Sequence, residues 1–217
     1  MVDIDVGIVG HNQRGDRAAE LSERVGAIYR SMDNGTLGCT GNHRKVWSWL
    51  AEHNAGADYL VTIEDDAQPV EDFRHQLDQA LAAAPTPVVG LYLGHPEHWR
   101  SYGERRKRLE AAVIEADKRD ANWITTTELL HGVGIAIRTN LVPDMLKHTS
   151  GTTRPFDYAI RNWARDNRTP ISFTTPSLLD HADGPALVNH RDSNSRARRK
   201  AWRAGTRKAW TSEAVSF

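Results

Sequence analysis

Tyr59-Leu60-Val61-Thr62-Ile63-Glu64-Asp65-Asp66 is an apolar run that stops in three adjacent carboxylates. Its β-branched and aromatic content is that of a buried strand. Three acids at the end of a core strand repel one another and are costly to desolvate. Two arrangements remove that cost: a bound divalent cation, or immediate exit of the chain into solvent. Hard cations such as Mn²⁺ or Mg²⁺ take carboxylate oxygens and share them with phosphorylated substrates. On an extended chain Glu64 and Asp66 face one way and Asp65 the other.

Working outward, the pattern alternates between strands and helices. Strands are predicted at 2–9, 26–31, 59–63, 88–93, 129–138 and 171–174, and helices at 16–25, 42–54, 70–84, 141–147 and 156–166. Residues 95–121 read as a polar, mostly helical excursion. The expected fold is α/β: one Rossmann-like domain over residues 1–190, with a mostly parallel central sheet. Residues 191–217 read as a basic carboxyl-terminal helix or tail. There is no internal repeat and no low-complexity linker.

The chain has 217 residues, enough for a sizeable core. Its amino end starts a strand directly, without the basic and apolar segments of a signal peptide. No apolar run approaches the ~20 residues that span a membrane. Cys39 is the single cysteine, so no intramolecular disulfide can form. These features lead us to expect a soluble, cytoplasmic protein. The formal net charge of zero divides unevenly: residues 1–90 carry 7 basic and 14 acidic side chains, and residues 91–217 carry 21 and 14. The positive charge gathers at Arg100–Arg108 and at Arg191–Lys208. Such runs are solvated faces or surfaces for phosphate groups.

In open α/β sheets ligands bind beyond the carboxyl ends of the strands. His11, Asn12 and Arg14 follow the first strand, Asp33 the second, and Glu64, Asp65 and Asp66 the middle one. The chain lacks a P-loop, a complete dinucleotide fingerprint and a Gly-x-Ser-x-Gly elbow, which argues against the enzyme classes built on them.

The succession Gly38-Cys39-Thr40-Gly41-Asn42-His43-Arg44-Lys45-Val46-Trp47, followed by Ile63-Glu64-Asp65-Asp66-Ala67, resembles the GT-A glycosyltransferases. It is most similar to the bacterial lipopolysaccharide-type family (family 25), with Asn42 where that family usually has Ser. His131-Gly132-Val133-Gly134 resembles the small-residue strand near the acceptor, and Pro155-Phe156-Asp157 the helix start that supplies a base in inverting members. Pro176–His181 and Leu187–His190 resemble the late segment that returns a ligand to the metal.

The resemblance implies a metal-dependent transferase that moves a sugar from a nucleoside-diphosphate sugar to an acceptor hydroxyl. Asp66 is then the main ligand for Mn²⁺ or Mg²⁺, and His181 or His190 the second. Glu64 or Asp65 holds the ribose, or the metal through water. Asp157 is the general base, or else a helix cap. His43 and Lys45 at a helix start suit phosphate, and Arg14 the base or diphosphate. His131, Gly132 and Trp99 face the acceptor, and Trp99 and Trp123 offer aromatic platforms or simply pack the excursion. Of Trp47 and Trp49, two apart on a helix, only one can belong to the core face.

The acceptor remains open between a glycan, a protein side chain and a modified DNA base, the last because of the basic clusters. Two other classes fit the residues. One is a metal-dependent nucleotidyltransferase, and the other a catalytically silent, basic nucleic-acid-binding protein.

Overall fold

In the computed structural model, which describes residues 2–95, 103–182 and 199–217, the strand ending at Glu64 lies deep within an eight-stranded sheet. The first half of the chain forms β1 (Ile4–His11), α1 (Gly15–Val25), β2 (Tyr29–Asp33), α2 (Gly38–His53) and β3 (Tyr59–Glu64). The middle adds β4 (Ala67–Pro69), α3 (Phe73–Ala83), β5 (Val88–Gly90), α4 (Gly103–Lys118) and β6 (Trp123–Thr126). There follow β7 (Gly134–Arg138), α5 (Val142–His148), α6 (Phe156–Asp166), β8 (Ile171–Thr174), β9 (Leu179–His181) and β10 (Ala214–Ser216).

The strand order is β10-β6-β8-β5-β7-β3-β1-β2, with β4 and β9 forming a separate two-stranded ribbon. β1 runs parallel to both β2 and β3, β5 to β8, and β6 to β10. β7 is antiparallel between β3 and β5, and β6 is antiparallel to β8. The sheet is therefore mixed but mostly parallel.

Both faces of the sheet are covered, which explains why β1 and β3 read as near-continuous apolar runs. Ala18, Leu21 and Val25 of α1 join Phe73, Leu77 and Leu81 of α3 against one face. Val46, Trp47 and Leu50 of α2 pack on the other, with α4, α5 and α6. Trp47 is the core member of its pair, whereas Trp49 stacks on Tyr29 at 4.2 Å. α6 follows the helical period closely. Phe156, Ile160 and Trp163 are all buried, each contributing about 1.5–3 kcal/mol by leaving water.

Because α1 and α2 cover opposite faces, β2 and β3 flank β1 on either side. The crevice between the carboxyl ends of β1 and β3 is thus a point where the winding reverses, the usual ligand position in such sheets.

Four strands escape the sequence pattern: β4, β6, β9 and β10. β4, β9 and β10 are three residues long and β6 four, too short to display a period. The carboxyl-terminal segment also departs from expectation. Its described part, residues 199–217, is not a helix but an extended strap ending in β10. The strap is fastened by its own cations. Arg203 pairs with Asp117 at 2.6 Å, and Arg207 with Asp120 at 2.8 Å while donating to the carbonyls of Thr175 and Ala121. Gln76 Oε1 accepts from Arg207 N and from Trp210 Nε1.

The described basic residues of the other cluster also have partners. Arg105 meets Glu128, Arg106 meets Glu110, Lys107 meets Glu104, and Arg108 lies over the Phe217 ring. No helix among the described residues is long and apolar enough to cross a membrane.

Candidate active site

The acidic triplet closes β3 and opens the turn into β4. Of the two arrangements expected from the sequence, immediate exit into solvent is not the one adopted. Asp65 and Asp66 are buried, at 5% and 8% exposed, so the turn does not run into solvent. Each acid instead has a partner from the protein. Arg14 Nη1 lies 2.8 Å from Asp65 Oδ1 and 2.8 Å from Asp66 Oδ2. Asp65 Oδ2 also accepts the His11 amide at 2.7 Å. Glu64 Oε1 meets His43 Nε2 at 3.0 Å. The alternation expected of an extended chain ends at Glu64, because the strand ends there, and Asp65 and Asp66 share one guanidinium nitrogen.

His181 enters from the ribbon. β9 pairs with β4 in the register Ala67↔His181, and Ala182 N donates to Asp66 O at 2.9 Å. This register carries His181 Nε2 to 3.4 Å from Asp66 Oδ2. Asp66 Oδ1 and His181 Nδ1 are both buried without a hydrogen-bond partner. Each of the two residues thus keeps one ligand atom without a partner, and a carboxylate oxygen and an imidazole nitrogen both suit a divalent cation such as Mn²⁺.

Burial raises the Asp66 carboxyl above the usual carboxylate range, and neighbouring Glu64 adds to it, against the pull of His181 and Arg14. Burial pushes Glu64 up as well, but His43, His181 and Arg199 outweigh it and its pKa is lowered. Burial lowers the His43 imidazole, and Cys39 and Glu64 overcome this to raise it to about 10.

Gly132 lies across from these acids. A Cβ there would stand 3.1 Å from Glu64 Oε1 and 3.8 Å from Asp157 Cβ, so the open space between the two carboxylates depends on its bare backbone. Asp157 occupies the first turn of α6 without capping it; its Oδ1 accepts only the next amide, Tyr158 N, at 2.8 Å. Burial raises Asp157 to about 6, with Glu64 adding to the shift and the Tyr158 N–H opposing it. A carboxylate of that strength can take a proton near neutrality.

Several expected residues stand elsewhere. Asn12 is exposed in the turn after β1, and Lys45 is exposed on α2. His131 packs edge-on to Tyr92 at 5.0 Å, and Tyr92 in turn lies 6.3 Å from His181. His131 is thus one ring removed from the acids. Asp33 is occupied structurally, accepting the Leu37 and Gly38 amides at 3.0 and 2.9 Å where α2 begins. Asn42 bridges β1 and β2 by donating to the Gly10 and Ser31 carbonyls. Trp123 is fully buried against Trp210, a packing residue rather than a platform. Trp99 and His190 lie outside the described residues.

Three neighbours went unassigned in the sequence. Arg199 acts on Glu64 from the strap, Arg17 Nη2 donates to Asp66 O, and Cys39 stands beside His43. The helix starts at Gly38 instead of Asn42, which puts Cys39 and His43 one turn apart on the same face. No protein-family model matches this chain, and no curated protein matches it.

Proposed function

We propose that the chain is a metal-dependent glycosyltransferase, taking a sugar from a nucleoside-diphosphate donor and passing it to an acceptor hydroxyl. The observation that carries this reading is the meeting of Asp66 with His181, two unsatisfied ligand groups, at the mouth of the β1/β3 crevice. Asp157 stands across the same space, beyond Gly132. The resemblance of the sequence motifs to GT-A enzymes supports the assignment of roles.

In this reading Asp66 and His181 hold Mn²⁺ or Mg²⁺, which when bound neutralises the diphosphate as a Lewis acid. Arg14 orders the acids, so that Asp66 presents Oδ1 while Oδ2 is engaged. His43 fixes the Glu64 carboxylate, leaving it to receive a ribose hydroxyl. Asp157 removes the acceptor proton as the acceptor oxygen bonds to the anomeric carbon. The bond from that carbon to the diphosphate oxygen breaks, its electron pair leaving with the nucleotide. Attack from the face opposite the leaving group inverts the anomeric centre.

Among the described residues Arg105, Arg106, Lys107, Arg203 and Arg207 are paired with acids, which lends no support to a DNA acceptor over a glycan or a protein side chain.

The test is nucleotide release from UDP-, GDP-, ADP- and TDP-sugars, with Mn²⁺ or EDTA, with and without candidate acceptors. One active nucleotide, silenced by EDTA and by Asp66→Asn, supports the proposal. Release of pyrophosphate instead would mean nucleotidyl transfer. Absence of both turnover and metal-dependent nucleotide binding would overturn it.

A further inference from the structure

Cys39 has no part in the transfer chemistry, yet it is placed against two groups that have. It lies in the first turn of α2, one helical turn before His43. One ligand atom from each of Cys39, His43 and Glu64 falls within 4.8 Å of the other two. His43 is 2% exposed; its Nε2 faces Glu64, and its buried Nδ1 has no hydrogen-bond partner. Cys39 itself is exposed, so an ion has a way in.

We propose that Cys39, His43 and Glu64 form a zinc site with an open fourth position. A thiolate, an imidazole and a carboxylate suit Zn²⁺ or Co²⁺, whereas Asp66 and His181 suit the harder Mn²⁺. Tetrahedral zinc with ordinary bond lengths sets its ligand atoms about 3.4–3.6 Å apart. His43 Nε2 and Glu64 Oε1 stand 3.0 Å apart, slightly inside that spacing, and the exposed Cys39 side chain supplies the adjustment that the third ligand needs. Cys39 binds as the thiolate and His43 as the neutral imidazole, the proton of each passing to solvent. Glu64 is common to both sites. A zinc ion here withdraws Glu64 from the nucleotide and inhibits transfer, a consequence that rests on the transferase reading, although the zinc site itself does not.

The test uses the full chain without an affinity tag, titrated with Co²⁺. Because Cys39 is the single cysteine, any thiolate-to-cobalt charge-transfer band reports on this residue. The expected result is a band that saturates at one thiolate-bound cobalt per chain, which Zn²⁺ displaces and Mn²⁺ leaves in place. Cys39→Ser abolishes the band, and Glu64→Gln weakens cobalt binding about 10–100-fold with the circular dichroism spectrum unchanged.

The proposal is overturned by absence of a band at saturating cobalt. It is equally overturned by a band whose yield per chain rises with protein concentration, the mark of cobalt bridging two molecules. A band held with the same affinity in Glu64→Gln also rejects it. Donor turnover is scored separately with Mn²⁺, so failure of the transferase reading leaves the band, and failure of the zinc site leaves turnover.

Discussion

His181 Nε2 stands 3.4 Å from Asp66 Oδ2, brought there by the pairing of β9 with β4 directly after the acidic triplet. The contact joins two distant parts of the chain through a ribbon of three residues on each side. It defines the first prediction. Asp66→Asn should reduce Mn²⁺-dependent donor turnover at least about 100-fold, and His181→Ala should raise the Mn²⁺ concentration for half-maximal activity about 10–100-fold. Metal titrations of initial rate measure both. A His181→Ala enzyme with an unchanged metal requirement would remove His181 from the site.

In the proposed mechanism Asp157 sets the acidic limb of the pH profile. Its carboxyl is raised to about 6 by burial first and by Glu64 second. The basic form is therefore populated above that value, and kcat/KM should climb through about pH 6 to a plateau. Asp157→Asn should lower the plateau about 10²–10⁴-fold and erase the limb.

The same shift carries a stability cost of opposite sign. Between the unfolded value of 3.8 and the folded value of about 6, the native state binds more protons, so stability falls as pH rises through that window. Asp157→Asn should then melt higher than the parent at pH 8, by about 1 kcal/mol after allowance for solvent screening, and no higher at pH 4. Calorimetric scans at the two pH values measure the difference.

Two neighbouring glycines should separate function from folding. Gly132→Ala crowds Glu64 and should depress turnover with little change in Tm. Gly134→Ala drives its methyl into buried Leu179, and should cost about 1–3 kcal/mol of stability. Parallel assays of Tm and activity distinguish the two outcomes.

Arg14→Met leaves Asp65 and Asp66 buried without their cation. Removing one partner of a buried pair typically costs about 3–5 kcal/mol. Added Mn²⁺ should recover part of that loss, because it binds the folded form alone. Thermal shift with and without Mn²⁺ gives the answer, and an identical shift in the parent and in Arg14→Met would show that the ion does not replace the arginine.

Long elements could be read from the sequence, and their meeting points could not. α6 matched its expected bounds because Phe156, Ile160 and Trp163 keep a strict helical spacing. β3 and its acids were equally plain. The partners of those acids were not, because Arg14 and His43 reach them through the reversal of winding around β1, which no local pattern encodes. The start of α2 was misplaced by four residues, since Asp33 caps it from outside the helix and Gly38 suggests a turn. That error hid the shared face of Cys39 and His43. The basic clusters invited a surface reading because their acids, Asp117, Asp120 and Glu128 among them, belong to other segments.

β10 has one further consequence. By pairing with β6 in parallel, Ala214–Ser216 covers hydrogen-bonding groups that would otherwise form an open rim. The ion pairs of the strap, Arg203 to Asp117 and Arg207 to Asp120, weaken with salt, whereas the bonds of Gln76 to Arg207 N and Trp210 Nε1 do not depend on an ion pair. A chain cut before Ala214 would bare those groups of β6, and a bared strand edge can template association. The end of the chain thus serves as the last strand of the sheet, and shortening it should be read out as a gain in association.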